Sequence, residues 1–186
     1  MTLHKLRFIY KYQSGFTLIE MLMVVTLVGL MSLGVTAAIR QLLIINSRSS
    51  NHMIAVRQVQ QVGKEVSKDA LQAQILTLGE NSGFPLTLTW DEWGTNVTHE
   101  VIYTLGDMPP GGLKKLQRSY TIGGEAQGTA PHFVAEYIDD TIDPVTGEPK
   151  TNCDWDDVNE ILIFTVTATV GGQSETRVYE IEPRPD

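Results

Sequence analysis

Residues 14–20 read Ser14-Gly15-Phe16-Thr17-Leu18-Ile19-Glu20, and residues 21–39 continue as MLMVVTLVGLMSLGVTAAI. The rest of the chain is read outward from this stretch. From Tyr12 to Ile39 the only charged residue is Glu20, and Met21–Ile39 is nineteen residues with no charge. At 1.5 Å rise per residue, a helix over Phe16–Ile39 is roughly 36 Å long, enough for a hydrocarbon core of about 30 Å. A helix satisfies its own backbone in lipid, so the segment is predicted to be a transmembrane helix. Lys5, Arg7 and Lys11 precede it. That basic flank predicts a single-pass protein with a cytoplasmic N-terminus and an exported C-terminal part, the span ending at Arg40.

An ordinary secretory signal fits this pattern poorly. It requires a shorter apolar core followed by a small-residue cleavage site. Here the apolar run is too long, and the small residue Gly15 stands before it. Glu20 is the stronger objection. A carboxylate at the centre of a membrane helix costs about 2.5–3.5 kcal/mol, less near an end, and such residues serve a partner as a rule.

The order basic leader, Gly15-Phe16-Thr17-Leu18-Ile19-Glu20 and uncharged run resembles the signal of type IV prepilins and type II secretion pseudopilins. The resemblance implies cleavage after Gly15 by a membrane prepilin peptidase, N-methylation of Phe16, and Glu20 as the fifth residue of the mature chain. It further implies that Glu20 pairs with the N-terminal amine of a neighbouring subunit during assembly. An α-amino group with a pKa near 7.7–8.0 is cationic at neutral pH, so such a pair is electrostatically sensible. The implied partners are the prepilin peptidase, other pilins or pseudopilins met through the helix and the β-domain, an inner-membrane assembly platform, and membrane lipid. Many major pilins carry a proline at the position occupied here by Ala37, whereas no proline precedes Pro85.

Beyond Arg40 the pattern becomes amphipathic. Val56, Val59, Val62, Val66, Ala70 and Ala73 form one helical stripe. The helix is expected to continue to Leu78 and to stop at Gly79, and the polar run Asn46–Asn51 leaves room for a bend. Glu65 and Asp69 form a mildly unfavourable like-charge pair at i,i+4. Alternating segments follow. Leu86–Trp90 opens them, and Val97–Leu105 and Lys114–Ile122 read as a hairpin turning over Gly106–Gly112. Ile161–Val170 and Glu175–Glu182 read as a second, turning at Gly171-Gly172. Phe133–Ile138 fits a strand or a short helix. The expected fold is α+β: a long N-terminal helix packed on a small antiparallel β-sheet domain. The parts are a leader (1–15), a transmembrane and assembly helix (16–39), its amphipathic continuation (40–78) and a β-rich domain (79–186). Within the resembling family, this order with the central Leu116-Gln117-Arg118 is similar to the J-type minor pseudopilin or a tip-associated minor pilin.

Charge and residue types exclude several functions. The chain carries −8 overall and +3 in its first fifteen residues, leaving −11 beyond Gly15, which repels nucleic acid. His4, His52, His99 and His132 lack ligand spacing, and no nucleophile motif or phosphate loop is present, so no enzyme is expected. The acidic segment Asp139–Glu160 reads as a solvated loop. A calcium site using Asp154, Asp156 and Asp157 is its weaker alternative, because the segment lacks the glycine and spacing of an EF-hand loop. No other cofactor is expected. Trp90, Trp93 and Trp155 suit a core better than a binding platform. The single Cys153 has no internal partner, leaving an inert thiol or a bond to another chain. The resulting expectation is a minor subunit that starts or caps a type IV pilus or a type II secretion pseudopilus. A major subunit, or a tethered binding domain using pilin targeting, is the alternative.

Overall fold

The computed structural model describes residues 15–95, 97–109, 111–128 and 130–184; most of the expected leader lies outside them. The chain divides after Ile45 into two units.

In the first unit, helix α1 (Leu18–Ala70) begins at a cap built by Thr17. The Thr17 carbonyl accepts from the N–H groups of Glu20 and Met21 at 3.1 and 3.2 Å, and its hydroxyl accepts from Glu20 N–H at 3.4 Å. Thr17-Leu18-Ile19-Glu20 is a capping-box sequence, with an acid in the first turn where the helix dipole favours one. Every residue from Phe16 to Ile45 is exposed. The hydroxyls of Thr26, Ser32 and Thr36 donate back to the carbonyls of Met23, Val28 and Ser32 at 2.8 Å each. These three hydroxyls are therefore satisfied within the helix, and Met21–Ile39 presents a surface without charge.

In the second unit, the last turns of α1 bury Ala55, Val59, Val62, Gly63, Val66, Asp69 and Ala70. This is the expected stripe, with Ala55 inward and Val56 displaced to its half-buried margin. The polar run Asn46–Asn51 is helical.

The expected helical continuation to Leu78 is corrected. α1 stops at Ala70, where Gln72 N–H and Ala73 N–H bond to the carbonyls of Asp69 and Ala70 in tight turns. β1 (Ile75–Gly79) follows and pairs with β2 (Gly83–Asp91). Ile75 and Thr77 face solvent while Leu76 and Leu78 pack on the core, a period of two that a helix cannot satisfy. Gly79 caps nothing. It sits at the hairpin end, where a Cβ would collide with the Phe84 carbonyl.

The remaining strands are β3 (Thr98–Met108), β4 (Leu113–Ile122), β5 (Glu125–Ala126), β6 (His132–Ile138), β7 (Asn152–Asp156), β8 (Ile161–Val170) and β9 (Gln173–Ile181). They form one sheet in the order β1-β2-β3-β4-β6-β8-β7, with β5 beside β4 and β9 beside β8, and every pairing is antiparallel. The first hairpin is longer than expected. Its ladder runs through Asp107↔Lys114 to Met108↔Leu113, so the turn is shorter than Gly106–Gly112. The second hairpin follows the expected pattern, with Leu162, Phe164, Val166, Ala168 and Val170 all buried. Its turn residues Gly171 and Gly172 have φ of 53° and 77°, the pair of positive values a type I′ turn needs. Phe133–Ile138 is a strand.

The stripe of α1 meets the inward faces of the sheet in a core containing Leu86, Leu88, Val101, Tyr103, Leu116, Leu162 and Phe164. β9 runs against the helix. Tyr179 Oη donates to the Val59 carbonyl at 3.0 Å, and the Tyr179 ring occupies the space a side chain at Gly63 would need. The glycine that weakens the helix is thus what admits Tyr179 to it.

Candidate assembly site

The processing and assembly residues expected from the sequence lie together at the start of α1. Gly15 is exposed and non-helical, Phe16 is 74% exposed, and Glu20 is exposed in the first helical turn. Gly15, Phe16 and Thr17 precede the helix and are all exposed. The surface behind them is of one kind. Eighteen-residue windows of this helix reach a mean hydropathy of 2.3 with none of the window buried. By length and composition such a helix is able to cross a membrane.

The second unit holds a buried polar constellation that sequence reasoning missed. Asp69 is 2% exposed, in the last turn of α1. Arg118 on β4 meets it in a fork, Nε to Oδ2 at 2.7 Å and Nη2 to Oδ1 at 3.1 Å, and Tyr103 Oη on β3 donates to Oδ2 at 2.6 Å. Burial pushes the Tyr103 hydroxyl well above its ordinary pKa, and the Asp69 carboxylate beside it adds to the rise. Burial alone would lower the Arg118 pKa, but the hydrogen bond and charge of Asp69 outweigh it and raise the value. A carboxylate at a helix C-terminus opposes the helix dipole, so Arg118 offsets both that field and the desolvation. A signal was present: Asp69 adjoins the stripe residue Ala70, and Arg118 shares the inward parity of Leu116 and Tyr120. Reading Asp69 only as a like-charge neighbour of Glu65 concealed it.

The acidic segment is only partly the solvated loop expected. Asp139 is 6% exposed. It bonds to Lys150 Nζ at 3.0 Å, to the Thr141 hydroxyl at 2.6 Å and to the Thr169 hydroxyl at 3.1 Å. Burial acts to raise its pKa, but the Thr141 and Lys150 bonds prevail and hold it below the usual carboxylate value. Asp154 and Asp156 lie in β7 itself. Asp154 accepts from Trp155 N–H, while Asp156 accepts from Val158 N–H and from Asn159 in a local turn that lowers its pKa. Asp157 is exposed. Among the described residues no group of three acidic, histidine or cysteine side chains converges on one point. Cys153 is buried, and burial pushes its thiol pKa far above the ordinary value. The tryptophans divide: Trp90 is half-buried and stacks on His99 at 5.3 Å, Trp155 is half-buried, and Trp93 is 90% exposed.

A membrane-length apolar helix that continues into an antiparallel β-domain is an α+β arrangement consistent with the pilin fold. Residues 10–36 match the family model of the prokaryotic N-terminal methylation motif. No curated protein and no solved structure matches the chain. The likeness to type IV prepilins and pseudopilins therefore rests on this N-terminal motif, residues 10–36 of 186. The motif implies processing by a prepilin peptidase and assembly with other pilins.

Proposed function

We propose that this protein is a minor, non-enzymatic subunit that initiates or caps a type IV pilus or type II secretion pseudopilus. The observation that carries the reading is the wholly exposed helix surface from Phe16 to Ile45, interrupted by the single acid Glu20. In the membrane, lipid covers that surface; in a filament, neighbouring helices do. Glu20 then meets the methylated amine of Phe16 on the next subunit, and each charge removes the other's desolvation penalty. The absence of proline before Pro85 and the single cysteine favour a minor subunit over a bulk one.

Mass spectrometry of the mature N-terminus, combined with a Glu20→Val variant, tests this. The mature chain is expected to begin at N-methylated Phe16. Glu20→Val is expected to insert and be processed normally but to enter filaments or tip complexes at least tenfold less. A mature start near residue 40, or undiminished assembly of the variant, refutes the reading.

A further inference from the structure

The two ends of the sheet order, β1 and β7, face one another. β1 pairs only with β2, and β7 only with β8. β7 meets the β1–β2 turn, where Cys153 N–H donates to the Ser82 carbonyl at 2.8 Å. Away from that contact Gln74, Ile75, Leu76, Leu78, Trp155 and Pro183 line an open groove of about 530 Å³. No strand of the described residues fills it.

Edges of this kind are normally blunted by charge, proline or a covering element. β9, the other long strand with a single partner, carries Glu175, Arg177 and Glu180. β1 reads Ile75-Leu76-Thr77-Leu78-Gly79, with no charge and no proline, and Ile75 is 60% exposed. The groove continues past Gln74, Trp155 and Pro183 into a rim where Asp157, Glu160 and Glu182 face a single cation, Arg184. An unpaired backbone edge, an apolar trough beside it and a net negative rim together specify one kind of occupant.

We propose that β1 is a docking edge for an extended apolar segment flanked by lysine or arginine, supplied by a neighbouring filament subunit and added to the sheet as a strand. An extended segment satisfies the edge N–H and C=O groups, which a helix leaves unpaired, and places every second side chain in the trough. The acidic rim selects basic flanks. The same rim, with −11 on the chain beyond Gly15, disfavours a second copy of this protein. The inference rests on the proposed function only in naming a filament subunit as the supplier.

The test uses the full mature chain in detergent micelles, with hydrogen exchange read at residues 75–79. The probe is the blocked peptide Lys-Val-Thr-Val-Thr-Val-Lys, with its Glu-flanked counterpart as control. The basic peptide is expected to slow exchange at these amides at least tenfold, and the Glu-flanked one far less. Ile75→Lys, at an exposed position the fold does not need, and the pair Asp157→Asn with Glu160→Gln should each weaken binding about tenfold. Equal protection by both peptides, or unchanged binding to Ile75→Lys, overturns the proposal. Protection that grows with protein concentration and needs no peptide assigns the edge to a second copy and also overturns it. In cells, a photocrosslinker at position 75 is expected to join a basic-flanked segment of another pilin-family subunit. An uncrosslinked edge in a chain whose assembly still depends on Glu20 overturns this inference alone. Peptide protection in a chain that assembles without Glu20 overturns the filament reading alone.

Discussion

Replacing Arg118 by methionine should be among the most damaging single changes in the β-domain. The substitution keeps much of the side chain's length and removes its charge and donors. Two of the three bonds that Asp69 receives, at 2.7 and 3.1 Å, disappear, and only that from Tyr103 remains. The carboxylate stays 2% exposed at the negative end of a helix. Stranding one member of a buried pair in this way costs about 3–5 kcal/mol. For a domain of this size, that lowers the melting temperature by roughly 10–20 °C. Arg118→Met combined with Asp69→Leu removes both charges together, and replacing a buried pair with apolar groups is close to neutral. The double variant should therefore recover most of the loss, with a coupling of at least about 2 kcal/mol between the sites. The measurement is urea unfolding of the full chain in micelles, followed by tryptophan fluorescence across the parent, both single variants and the double. A double variant as unstable as the sum of the singles would show that the pair is not energetically coupled.

Gly63→Ala should destabilise the domain by roughly 1–3 kcal/mol, because the new Cβ displaces the Tyr179 ring and breaks its bond to the Val59 carbonyl; Tyr179→Phe in the same background should then cost little more in urea unfolding. Asp139 has a folded pKa below its unfolded value of about 3.9, so its stabilisation is present above that value and lost as pH falls through the folded one. Asp139→Asn should flatten the stability profile in that acid window, and an unchanged acid slope would refute the assignment. Millimolar calcium against a chelator should leave the melting temperature nearly unchanged, whereas a site filled at a hundredfold excess over Kd adds about 2.7 kcal/mol. A rise of several degrees, abolished by Asp154→Asn with Asp156→Asn, would make calcium structural.

The fold was legible wherever one periodicity dominated. The uncharged run Met21–Ile39, the valine stripe and the alternation of Ile161–Val170 each repeat one period over enough residues to identify an element. Legibility failed at handovers. Gln72–Leu78 is apolar enough to extend the α1 stripe, and Ala73 satisfies both readings; pairing of Ile75–Thr77 with Thr87–Thr89 decides for a strand, and that pairing is non-local. The motif segment was legible because its residues are consecutive in sequence, and the methylation-motif match at residues 10–36 falls on it. The Asp69–Arg118–Tyr103 constellation was not, because its members stand 34 and 49 residues from Asp69 and only the folded hairpin joins them.

That constellation also supplies something the helix stripe lacks. Val59, Val62 and Val66 present nearly the same shape to the sheet, so sliding α1 by one turn, about 5.4 Å, sets valine where valine had been. Apolar burial alone therefore distinguishes poorly between registers of α1 on the sheet. A one-turn slide carries the buried Asp69 away from the half-buried Arg118 and leaves both charges unpaired, a penalty of several kcal/mol that the in-register packing avoids. Tyr179 over Gly63 adds a steric constraint, because no other helix position on the buried stripe is a glycine. On this argument the ion pair contributes less to the depth of the native state than to its uniqueness. The double variant that recovers its stability should then show a weakened near-ultraviolet dichroism of Tyr103 and its neighbours, as alternative registers become populated. A double variant both as stable and as well ordered as the parent would assign register to Tyr179 and Gly63 alone.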